Sequence, residues 1–196
     1  MRMYLTVIFL VSSFILPAEG YAQTSRYSPN RAEAFFGDVY LGVKYGRLTY
    51  ADDVPDYDDG TDTRNLGFSF GKKFNDFVGM EFSYDYTVTE DNTSFGDIST
   101  DVLGLFVVAK TLGKVYFKGR LGYTRLTQER DFSGQSIDNN TYGMAVSGAV
   151  GLTIYNNGSL EFEYTILPAT DDTNFVGAPV DIEADFLSVN YVWGFN

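Results

Sequence analysis

The feature that most constrains this chain is a strict alternation of apolar and small or polar residues, repeated from end to end. It is cleanest at the C-terminus, where Leu187, Val189, Tyr191, Trp193 and Phe195 occupy every second position and Ser188, Asn190 and Gly194 fall between them. A period of two sends alternate side chains to opposite faces of a β-strand. The same period recurs at Val78, Met80, Phe82, Tyr84 and Tyr86, set against Gly79, Glu81, Ser83 and Asp85. No amphipathic helical segment accompanies these strands, so nothing within the chain covers their apolar faces. Lipid is therefore the expected neighbour.

Eight such stretches are expected, at about 36–49, 63–74, 78–86, 99–110, 114–126, 141–155, 159–167 and 186–195. In the fourth, Leu103, Leu105 and Val107 compete with Val102, Phe106 and Val108 for the outer face, and alternation alone does not assign them. The intervening segments alternate long and short. Ala51 to Asp62, Glu90 to Asp97, Thr127 to Asn140 and Pro168 to Asp181 read as long polar loops. Asn75-Asp76, Thr111 to Gly113 and Asn156-Asn157-Gly158 read as tight turns, the last because Asn and Gly tolerate positive φ. Four long loops at one end and three short turns at the other fit a transmembrane barrel, with both chain ends on the short-turn, periplasmic side. The predicted fold is all-β, an eight-stranded antiparallel transmembrane β-barrel of up-and-down topology.

The N-terminus reads as an export signal. Arg2 provides a positive start, Tyr4 to Leu16 an apolar run, and Gly20-Tyr21-Ala22 small residues at a cleavage site. Residues 1–22 are thus expected to be a signal peptide, 23–35 a periplasmic arm and 36–196 the barrel. Cys is absent, so the fold must hold without disulfides in an oxidising compartment. His is absent as well, which excludes Ser-His-Asp hydrolysis and most zinc chemistry. Arg2 and Glu19 cancel, so the net charge of −12 belongs wholly to the exported part. Such an acidic chain lacks the cations that nucleic-acid phosphates require, and no nucleic-acid partner is expected.

Alternation places Lys44, Lys73, Lys118 and Arg120 on the inner face together with Glu81, Asp85, Glu161 and Glu163. Four positive and four negative groups are expected to form a structural ion network inside a packed polar barrel core. Tyr45, Tyr84, Tyr86, Tyr123, Tyr142, Tyr191 and Trp193 suit interfacial girdles. The six Asp between Ala51 and Asp62 read as a solvated acidic loop, because their spacing does not match a calcium-binding loop. No catalytic, cofactor-binding or metal-ligating residues are assigned, and neither a cofactor nor an enzymatic activity is expected.

Three segments carry a family resemblance: Gly79-Met80-Glu81-Phe82-Ser83-Tyr84 with its near repeat Leu160-Glu161-Phe162-Glu163-Tyr164, Lys118-Gly119-Arg120-Leu121-Gly122-Tyr123, and the terminal strand. With these the chain resembles the small eight-stranded outer-membrane barrels related to the OmpA transmembrane domain, OmpX and the opacity proteins. The resemblance implies residence in the outer membrane among lipid and lipopolysaccharide. It also implies recognition of Tyr191, Trp193 and Phe195 by the barrel-assembly machinery, although here Asn196 follows the terminal Phe. A structural, surface-interaction or adhesion role through four polar, mostly acidic loops is implied, with a host or cell-surface ligand as partner. The alternative is a narrow or gated porin-like channel for ions or small solutes. Outer-membrane acyltransferases and deacylases of similar size share the architecture but use a His that this chain lacks.

Overall fold

The computed structural model describes residues 38–52, 61–89, 91–93, 96–132, 135–155, 157–168, 170–172 and 180–195. The expected signal peptide and N-terminal arm lie outside the described residues, as do Asn196 and most of the first acidic loop. Eight long strands carry the architecture: β1 (Val39–Asp52), β2 (Thr61–Lys73), β3 (Val78–Thr89), β5 (Gly96–Lys110), β6 (Val115–Phe132), β7 (Gln135–Tyr155), β8 (Gly158–Ile166) and β10 (Val180–Phe195). Two three-residue strands, β4 (Asp91–Thr93) and β9 (Thr170–Asp172), flank β5 and β10.

Each long strand pairs antiparallel with its sequence neighbour, and β1 pairs with β10 along its whole length, from Val39↔Phe195 to Asp52↔Ile182. That last pairing closes the sheet. Closure leaves no long strand with an unpaired backbone edge, the condition for a sheet to exist in lipid. The short-turn end is tightly bonded. Asn75 Oδ1 accepts from the backbone N–H groups of Phe77 and Val78, each at 2.8 Å. In the 111–114 turn, Gly113 has φ 131°, a left-handed conformation that side-chain-bearing residues avoid.

Faces alternate as the period requires. Strand β3 reads exposed at Val78, Met80, Phe82 and Tyr84 and buried at Gly79, Glu81, Ser83 and Asp85. The outer surface carries an apolar belt in which Phe68, Leu105, Phe117, Phe162 and Leu187 are all exposed. The fourth expected strand, β5, resolves in the same manner. Leu103, Leu105 and Val107 face out, while Val102, Phe106 and Val108 are buried.

The expected loops Glu90 to Asp97 and Pro168 to Asp181 contain the short strands β4 and β9, and two larger features also differ from expectation. In the expected loop Thr127 to Asn140, residues 127–132 and 135–140 continue β6 and β7 as a paired ribbon, in register from Thr127↔Asn140 to Phe132↔Gln135. At its base Arg125 Nε, Arg125 Nη2 and Thr127 Oγ1 all donate to Asn140 Oδ1, at 3.0, 2.8 and 2.9 Å. The expected polar core is also only half polar. Towards the long-connection end the lumen is filled by an apolar layer of Leu48, Tyr50, Val102, Phe106, Leu126, Ala145, Leu167, Ala184 and Phe186. The cause lies in β1 and β5, whose inward positions change from Lys44 to Leu48 and Tyr50, and supply Val102 and Phe106.

Candidate functional site

The barrel lumen is built in three layers along its axis, and its chemistry is concentrated in the middle one. Strands β3, β6 and β8 each contribute alternate inward residues at this height: Glu81 and Asp85, Lys118 and Arg120, Glu161 and Glu163. Lys118 Nζ donates to Glu81 Oε2 at 2.9 Å and to Glu161 Oε2 at 3.0 Å. Arg120 bridges Glu81 Oε1 and, at 2.5 Å, Glu163 Oε1, while its Nε donates to Ser147 Oγ at 2.7 Å. The chain Glu161–Lys118–Glu81–Arg120–Glu163 is therefore continuous, joining three strands across the lumen. Lys44 and Asp85 form a separate pair at 2.8 Å.

Tyrosines extend the network at its lower edge. Tyr40 Oη donates to Glu81 Oε2 at 2.9 Å, and Tyr116 Oη donates to Glu161 Oε1 at 2.7 Å. Tyr116 lies flat over Gly151, its cross-strand partner, where a Cβ would overlap the ring. Each cation of the middle layer also rests on an aromatic face. Arg120 lies 4.4 Å from the Phe106 ring centre and Lys44 4.9 Å from that of Phe186. These contacts couple the charged layer to the apolar layer above it.

Burying such groups is costly unless each charge is paired and hydrogen-bonded. Here every cation of the middle layer meets that condition. Asp85 Oδ1 and Glu163 Oε2 are the buried side-chain oxygens without a partner among the described residues.

Of the eight charged residues expected on the inner face, seven take part in these ion pairs. Lys73 does not. Its cross-strand neighbour is Gly79, which offers no carboxylate, and the next acid on that face, Glu81, is engaged by Lys118 and Arg120. Lys73 instead lines a cavity at the short-turn end with Tyr40, Lys110 and Glu161. Alternation also left Lys110 unassigned to any site, and the apolar layer was hidden because a Phe or Leu facing inward reads like one facing lipid.

The expected assembly residues lie in β10. Tyr191 and Trp193 stack edge to face with ring centres 4.9 Å apart, Trp193 is exposed, and Phe195 pairs with Val39 of β1. At the long-connection end Arg47 pairs with Asp62, which also accepts from Thr49 Oγ1 at 2.9 Å. Among the described residues no group of acidic side chains is arranged to hold a metal ion.

A closed antiparallel barrel that turns its aliphatic and aromatic side chains outward and seals ion pairs within is a transmembrane β-barrel protein. Residues 15–195 match the family described as the outer membrane protein beta-barrel domain, and the chain belongs to that family. The outer membrane is accordingly its location. Solved structures show the same fold. The chain is similar to Neisserial surface protein A, with a TM-score of 0.63 at 14% identity over 80% of this chain and 97% of that one. It is similar to Ail, the attachment invasion locus protein of Yersinia pestis, with a TM-score of 0.52 at 17% identity over 80% and 99%. The outer membrane protein AlkL gives 0.56 at 14% identity over 82% and 90%. No curated protein sequence matches the chain.

Proposed function

We propose that this protein is a surface-interaction or adhesion barrel, working through the long connections at one end and not through its lumen. The observation that carries the reading is the filled interior. A continuous ion-paired layer lies beneath an apolar layer that includes Phe106 and Phe186, each 2% exposed, so the lumen offers ions no wetted path through the described residues. The channel alternative finds no support in that packing. The resemblance to Ail, a protein named for attachment and invasion, is compatible with the adhesive reading.

In this proposal residues 1–22 are removed on export, 23–35 form a periplasmic arm, and the short turns and both termini face the periplasm. The outward end then carries most of the charge. Eighteen of the twenty-six acidic residues fall within 49–64, 87–101, 125–140 and 168–185. A surface so acidic selects partners with basic patches. Tyr191, Trp193 and Phe195 serve the barrel-assembly machinery, the belt meets lipid and lipopolysaccharide, and the protein performs no catalysis.

Exchanging residues 53–60 and 173–179 for short Gly/Ser linkers, with the strands left intact, tests the role. Cells carrying the exchanged barrel should lose binding to host cells or to neighbouring bacteria while the protein remains folded in the outer membrane. Unchanged adhesion across all long connections would refute it. Orientation is tested separately, helped by the absence of native Cys. Asp56→Cys should react with an impermeant maleimide on intact cells, and Asp76→Cys only after the outer membrane is permeabilised.

A further inference from the structure

The lowest layer of the lumen holds a cavity of about 190 Å³ at the short-turn end. A single water needs only about 10–15 Å³ of such space, so the cavity has room for a ligand of several atoms. Three ammonium groups line it, those of Lys73, Lys110 and Lys118, and Lys118 is already paired with Glu81 and Glu161. Neither Lys73 nor Lys110 has a carboxylate within 4 Å among the described residues, whereas Lys44, Lys118 and Arg120 all do. Lys110 is held in place, with its Nζ 3.4 Å from the ring centre of Tyr116. Lys73 and Lys118 both act on it electrostatically as like charges, and Glu161 as an opposite one.

The acids at the cavity do not complete the pairing. Glu161 is already engaged by Tyr116 and Lys118, and Asp76 lies on the exposed turn more than 4 Å from the ammonium of either Lys73 or Lys110. Ser159 and Asn157 add neutral hydrogen-bonding groups to the wall. Lys73 and Lys110 share a concave, part-buried space with neither in an ion pair among the described residues, and an anion between them reduces their mutual repulsion.

We propose that this vestibule is a binding site for a small oxyanion, a phosphate or carboxylate group held between Lys73 and Lys110. The group belongs either to a free anion or to a lipid or peptide headgroup reaching in from the short-turn side. Its supply from the periplasm rests on the orientation proposed above. The binding itself does not, because it can be measured in micelles that have no sides.

The test is titration calorimetry on the protein purified from the outer membrane into a neutral, phosphate-free detergent. Inorganic phosphate, acetate and micelles doped with phosphatidylglycerol are the probes. Saturable, salt-sensitive binding of at least one probe is expected, weakened at least tenfold in Lys73→Gln and in Lys110→Gln. Lys114→Gln, in the exposed turn outside the cavity, should bind as the unaltered protein does. Binding of phosphate or acetate identifies a free oxyanion, and binding of phosphatidylglycerol alone identifies a headgroup. Absence of binding for all three probes would overturn the proposal. So would equal binding by Lys73→Gln and the unaltered protein, or a loss in Lys114→Gln as large as in Lys110→Gln, since either means general surface attraction. Among the described residues Lys73 makes no ion pair, so Lys73→Gln is expected to fold even where Lys110→Gln does not.

Discussion

Arg120 is the residue on which the charged layer turns, because it alone joins Glu81 to Glu163 and also caps Phe106. Breaking a buried pair costs more than never having built it, since a charge stays behind without a partner. Arg120→Met should therefore lower stability by about 3–5 kcal/mol, read as a shift of the urea unfolding midpoint in lipid vesicles. Arg120→Met combined with Glu163→Gln should recover part of that loss, because the stranded carboxylate is gone. Lys73→Gln should change stability by less than about 0.5 kcal/mol, as expected where no buried partner is lost. At Gly151 the problem is space and not charge. Gly151→Ala should cost about 1–3 kcal/mol by forcing Tyr116 off its seat.

At the scale of strands, the belt predicts its own depth dependence. Phe82 faces outward near the middle of β3, and Phe82→Arg should destabilise the barrel by about 2–4 kcal/mol. Phe74→Arg, in the short turn, should cost no more than about 1 kcal/mol by the same unfolding assay. The outward rows of β3, β7 and β8 were legible in the sequence because lipid on one side and a narrow lumen on the other enforce the period of two. Residues 127–132 and 135–140 show no alternation of apolar and polar residues, although they are paired strand. The face of β5 was illegible, since Val102 and Phe106 are as apolar as the residues facing lipid. Their burial depends on cross-strand partners: Phe106 packs against inward Gly122 of β6. In the charged layer, alternation found the right face, but which cation meets which acid depends on stagger between strands that a single sequence does not display.

For the molecule as a whole, the three layers divide the work. The middle layer ties β1, β3, β6 and β8 together and the apolar layer closes the lumen, which in the proposed reading leaves the long-connection end as the surface for partners. With Phe106 and Phe186 buried across it, the lumen should pass no ions. Purified protein, shown to be folded by a heat-modifiable shift on gels, should be reconstituted in a planar bilayer and its current recorded at high salt. A silent trace is expected, with no unitary steps above the empty-bilayer noise. Reproducible, ion-selective steps that change in Glu81→Ala or Lys118→Ala would contradict it and assign the function to the lumen.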